Sequence, residues 1–153
     1  METYLRQNFV VEYDMEIDLS YWNHAISWGL FVLIWVVQLV HYPSFQYIDK
    51  EQFADFHLHH TRSISFIVLP LMLLELGLAG ILVWQQGFQW NYLIPLILVL
   101  LIWASTFLVQ VPDHNRLAAG KDVAIATRLV QTNWIRTVLW TLKAIWLWLF
   151  TPL

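Results

Sequence analysis

The sequence predicts an all-α integral membrane four-helix bundle, on three observations. Of 153 residues, 59% are hydrophobic and 12% charged, where a soluble domain carries roughly 25% charged residues. Mean hydropathy is correspondingly high, at +0.56. The apolar residues fall into four long runs that hold few or no Lys, Arg, Asp or Glu. Ten Trp and six Tyr are what a small protein needs for aromatic belts at both membrane interfaces. Backbone facing lipid has no water to bond, so runs of this length are expected to be helical. The length allows one transmembrane domain, residues 1–153. Without a single Cys, disulfides, thiolate metal sites, iron–sulfur clusters and covalent c-type haem are excluded. The net charge is −3 and no basic run is present, so nucleic acid is not an expected partner.

The elements follow in order. Residues 1–19 are an acidic tail, with Glu2, Glu12, Asp14, Glu16 and Asp18 against Arg6. Interleaved apolar residues suit it to the membrane surface or the end of the bundle, and a frayed tail is the plainer alternative. It lacks the basic start of a signal peptide, so the first apolar run is expected to stay in the mature protein. That run, about 21–42, is long enough for the hydrocarbon core, with Pro43 expected to end it. Asp49 fits an N-cap, with Gln52 completing a capping box. The helix that follows meets no Gly or Pro before it turns apolar, giving a second span over 63–86. Gly87 marks a turn. The third span is 90–111, with Pro112 at its exit and Gly120 as a helix-ending residue. Asp122 can cap the last helix, whose membrane part is 131–150.

Lys and Arg mark two connections. Lys50 and Arg62 flank the join between spans one and two, and Arg116, Lys121 and Arg128 the join between spans three and four. The positive-inside rule then places both longer loops in the cytoplasm and both termini outside, in a bacterial inner membrane.

With that topology the polar residues collect near the cytoplasmic face. His57 and His60 share a helix face with Phe53, Phe56, Ile64 and Leu71 by 3–4 spacing, while His59 points away. Gln110 and His114, four apart, share a face of the third helix. Neutral imidazole is a common ligand, and bundle cores are places where facing helices build metal sites. His57, His60, His114 and His41 are therefore the candidate ligands, for iron or copper by preference and zinc as a further possibility. Two of them could instead hold haem b in an electron-transfer protein. Interfacial or structural histidines and a proton relay are the competing readings.

Glu75 is a lone acid deep in the second span, where a charge is costly and so marks a functional candidate. At 1.5 Å per residue it lies about 18 Å in, and Lys143 reaches the same depth on span four. Asn133, Arg136, Trp140 and Lys143 form one stripe of that span, so Glu75 is expected to face it and to pair with Lys143. A purely structural pair is as compatible as a catalytic one. Arg136, about 7 Å deep, either holds a substrate oxyanion or snorkels to a headgroup. Glu75, Asn133, Arg136 and Lys143 are the catalytic candidates. Of the tryptophans, Trp22, Trp28, Trp84, Trp90, Trp146 and Trp148 suit the belts, and Trp103, Trp134 and Trp140 suit an apolar cavity wall.

Several short motifs carry a resemblance. His41-Tyr42-Pro43, Phe56-His57-x-x-His60-x-Arg62, Pro70 and Glu75, then Val111-Pro112-x-His114-x-x-Leu117 and Asn133-Trp134-x-Arg136-Thr137, resemble the bacterial branch of small four-helix membrane proteins related to anthrone oxygenase. The resemblance covers about three-quarters of the chain. It implies a four-helix fold and oxidation of an aromatic polyketide-like substrate by dioxygen, and it assigns no catalytic residue. The expected function is thus a membrane oxidoreductase or oxygenase, metal-assisted, acting on a small lipophilic substrate. A haem protein, or a non-enzymatic assembly or transport protein, is the alternative. A pore would require a homo-oligomer, since one such bundle is too small.

Overall fold

The computed structural model describes residues 2–151, with side chains from Leu19 to Thr151. The expected placement of the acidic tail 1–19 rests on side chains outside those described. Every element is helical. The first rod is α1 (Glu2–Val36), a π-helical segment (Val37–His41), a short α2 (Tyr42–Ser44) and a 3-10 turn (Phe45–Tyr47). The second is α3 (Lys50–Gln85). The third joins α4 (Trp90–Ser105), a π segment (Thr106–Gln110) and α5 (Val111–Leu117), and the fourth is α6 (Val123–Phe150). Short connections make consecutive rods antiparallel neighbours. α1 packs on α3, α3 on α4, α4 on α6 and α6 back on α1, so the four close into a ring.

Two helix ends behave as the sequence suggests and one differs in detail. The Asp122 carboxylate accepts from the Ile125 N–H at 3.1 Å, and Gly87 takes the left-handed backbone of the turn at φ 67°. Asp49 is the N-cap of α3 but makes no side-chain cap; its carbonyl accepts from the Gln52 N–H at 3.2 Å instead.

Pro43 does not end the first helix. It lies at the start of α2, and the rod runs on to Tyr47. The π segment just before it is the reason. An i→i+5 turn (the Tyr42 N–H bonds to the Val37 carbonyl) makes room for a ring that would otherwise strike the preceding carbonyl. Pro112 repeats the device, two residues after the π segment Thr106–Gln110.

Three helical stretches are long and apolar enough to cross a membrane: Leu19–Tyr47, Lys50–Gln85 and Trp90–Leu117. α6, expected as a fourth span, falls below that level because of its polar stripe. The stripe faces inward: Asn133, Arg136, Thr137 and Lys143 are buried, while Ile135, Val138, Leu142, Ile145 and Trp148 are exposed. α6 is polar inside and apolar outside, the reverse of a soluble amphipathic helix. Between the helices, Leu30, Ile34, Phe45, Phe53, Met72, Ile102 and Leu129 form part of the main core.

Candidate functional site

α6 supplies the two buried cations around which the polar interior is built. Toward its C-terminal half, Lys143 Nζ lies 2.8 Å from Glu75 Oε1, both side chains being sealed from solvent. Equal depth on two rods of one ring brings them level, as the arithmetic of helical rise suggested. Both members have further partners. Lys143 also donates to Ser27 Oγ, and Trp140 Nε1 donates to Glu75 Oε2 at 3.1 Å. Ser27 in turn donates to the Asn23 carbonyl at 2.6 Å. A buried acid and base, each with further hydrogen-bond partners, can persist in a low-dielectric interior, where either alone could not.

About two turns back along α6, Arg136 is also buried, at 7% exposure. The expected alternative of snorkelling to a headgroup is not what the side chain does. Its Nε donates to Asn133 Oδ1 at 3.0 Å and its Nη2 to Asn133 Oδ1 and to Tyr42 Oη, the latter at 3.1 Å. Asn133 is itself held from the other side, its Nδ2 donating to Gln38 Oε1 at 2.8 Å. Gln38 is oriented by donating to the Val130 carbonyl at 3.1 Å. These bonds anchor the guanidinium from α6 and from the end of the first rod.

The chain of contacts continues. Tyr42 Oη lies 3.0 Å from His114 Nε2, and His114 Nδ1 lies 3.0 Å from His57 Nε2. Between two imidazole nitrogens one carries the proton and the other accepts it. Because Tyr42 Oη accepts from Arg136, its own proton is free to point at His114 Nε2. In that arrangement His114 Nδ1–H donates to His57 Nε2. A continuous Arg136–Tyr42–His114–His57 chain therefore links all four rods.

The four expected metal ligands do not meet at one point. His57 pairs with His114, rings 5.2 Å apart, and His41 pairs with His60, also 5.2 Å apart. The ring of Phe45 fills the space near His57 and His60, at 5.8 and 5.3 Å. Among the described residues no three His, Asp or Glu side chains are grouped to hold one metal ion. His114 has both nitrogens engaged, by Tyr42 and by His57, and in this arrangement offers none to a metal.

Beside this chain lies a cavity of about 280 Å³, near the lower end of the range for small-molecule sites, about 300 Å³. Leu30, Ile34, Val68, Met72, Trp103 and Trp140 are among its apolar walls, and Tyr42, His60, Gln110, His114 and Arg136 form its polar part. The exposed members of the lining, Ser65 and Leu69 on α3 and Phe107 and Val111 on the third rod, place its mouth between those two helices. The π segment of the third rod packs on α6, which leaves that gap open.

No family model, no curated protein and no solved structure matches this chain.

Of the residues singled out in sequence, Glu75 and Lys143 come together, and so do Asn133 and Arg136. His57 and His60 face inward as periodicity required, and His59 is exposed. Trp103 and Trp140 line the cavity. Trp134 does not: it is 41% exposed and stands edge-on to Trp35. Tyr42, Gln38 and Ser27 were not among the candidates, yet they join the two networks. A signal for Tyr42 was present, since it lies four residues after Gln38 and so on the same face of one helix.

Proposed function

We propose that this chain is an integral membrane enzyme of the oxidoreductase class, an oxygenase that takes a small lipophilic substrate from the bilayer. All four helices span, α6 included, because every exposed side chain of its 132–150 stretch is apolar. The distribution of Lys and Arg puts both termini outside and the two longer connections in the cytoplasm. The observation that carries the reading is the meeting of an apolar cavity, open between two lipid-facing helices, with the Arg136–Tyr42–His114–His57 chain at its polar end.

The chemistry follows from that chain. A substrate with an acidic C–H beside a carbonyl, or an acidic hydroxyl, loses its proton to the Tyr42 oxygen. Tyr42 hands its own proton to His114 Nε2, and His114 passes the Nδ1 proton to His57 Nε2. One proton leaves the substrate and one arrives at His57. Arg136 stands beside the oxygen on which negative charge develops, and stabilises it most where water is excluded. The anion is then open to dioxygen. For an aromatic ketone bearing a methylene, one oxygen atom becomes the new carbonyl, and the other leaves as water with both methylene hydrogens. The carbon gives up the same four electrons that dioxygen takes, so no further reductant is needed. This outcome agrees with the resemblance to the anthrone oxygenase group. The steps use Tyr42, His114 and His57 as proton carriers and Arg136 as the stabilising charge.

The test is dioxygen uptake by detergent-purified protein supplied with anthrone, before and after exhaustive chelation. Saturable uptake that survives chelation, with one carbonyl formed per dioxygen, is expected. His114→Ala should lower it by about 10²–10⁴-fold, the usual worth of a positioned acid or base. Uptake no faster than the spontaneous reaction, with anthrone and with a panel of acidic phenols, would remove the oxygenase reading.

A further inference from the structure

Resting on the reading of the cavity as a lipophilic site, we infer that its ligand is an anion whose charged oxygen sits against Arg136. Arg136 lacks a counter-charge within the described residues. Two ion pairs occur among the described residues, Arg128 with Asp113 and Lys143 with Glu75. Neither involves Arg136. Its protein partners are an amide oxygen and a phenol, both neutral. A guanidinium stays charged in any protein setting, and a buried cation without a counter-charge is costly. α6 thus carries two buried cations with opposite treatment. Lys143 has a carboxylate of its own, and Arg136, which lines the cavity, has none.

Other groups around the cavity are also incomplete. Gln110 Oε1, His60 Nε2 and Trp103 Nε1 are buried without a hydrogen-bond partner, and all three residues line the same space. Buried polar atoms are ordinarily satisfied, so a cluster of exceptions calls for a missing partner. A ligand with one anionic oxygen and an apolar body supplies the missing charge, and its oxygen is an acceptor of the kind that the Trp103 Nε1 donor lacks. Its oxygen accepts from Arg136, and its body fills the walls of Leu30, Ile34, Val68 and Met72. Carboxylate and ionised phenol or enol share this chemistry. A membrane supplies the first as free fatty acid, and the proposed reaction generates the second.

The experiment measures binding to the full chain in nanodiscs, by quenching of tryptophan fluorescence, with four probes. Oleate and its methyl ester test the carboxylate, and pentachlorophenolate and its methyl ether test the ionised phenol. At least one anion is expected to bind at least about tenfold more tightly than its neutral partner, the scale of one charge-assisted contact. Arg136→Gln, which keeps a donor for Asn133 and Tyr42, should abolish that preference while leaving the neutral probes bound as before. Preference confined to oleate assigns the site to lipid carboxylates, and preference confined to the phenolate assigns it to the substrate side. Equal binding of each anion and its neutral partner in the wild-type protein overturns the inference, whatever the variant does, yet leaves the lipophilic site standing. Failure of all four probes to bind overturns the inference and the cavity reading together.

Discussion

The two buried cations of α6 lie seven residues apart on one helix face, and their surroundings teach different things. Around Lys143 both charges are answered from within the chain: Glu75 by Lys143 and Trp140, and Lys143 by Glu75 and Ser27. Around Arg136 the protein supplies neutral partners and then stops, beside a cavity whose lining retains unpaired polar atoms. A closed network fixes the packing of helices. An open one, equally buried, is unfinished without a ligand. Two cations buried in the same bundle thus divide into scaffold and site according to what faces them.

That contrast can be broken by mutation. Glu75→Leu should have the largest effect, because it strands the Lys143 ammonium in the interior. A loss of about 3–5 kcal/mol is expected in unfolding from detergent or bilayer. The double replacement Glu75→Leu with Lys143→Leu should recover most of it, since an apolar pair of similar volume is often as stable as a buried ion pair. If the single variant is as stable as wild type, the Lys143 centre is not closed in the sense argued. Arg136→Gln should cost less, about 1–2 kcal/mol, because only hydrogen bonds to neutral groups are lost and no opposite charge is left behind. A larger loss than that of Glu75→Leu would reverse the assignment of scaffold and site. Ser27→Ala should cost least, about 1 kcal/mol, since Glu75 still balances the ammonium after one hydroxyl is gone. A measurable change in dioxygen uptake on that replacement would show that the Lys143 centre acts in the reaction and does more than hold the fold.

The fold was largely legible from local rules. Apolar runs of membrane length, capping residues and short joins lead directly to four helical rods. Helical periodicity placed His57 and His60 inward and His59 outward. Simple rise arithmetic brought Glu75 level with Lys143. Pro43 misled because its usual effect is local, whereas here a π turn upstream removes the clash. Trp134 misled because a position adjacent to the polar stripe in sequence falls on the outer face of the bundle when α6 is oriented by Lys143 and Asn133.

The candidate site was legible only in its parts. Residue types and spacing place imidazoles, an amide and a guanidinium at one end of the bundle. They do not decide which partners those groups take. Hydrogen bonds between helices depend on side-chain direction within a few tenths of an ångström, and periodicity specifies a face no better than tens of degrees. The ring order of the rods, the π segment at Thr106–Gln110 and the turn of Tyr42 toward His114 are outcomes of packing among distant segments. They set the histidines in two pairs and opened the cavity between the second and third rods. The sequence by itself determined a bundle of four apolar rods with charges at fixed depths, because composition and helical rise are local properties. Helical rise already pointed Lys143 to Glu75, but only the tertiary structure decided that Arg136 has no counter-charge, because its partners depend on which side chains meet across the helices.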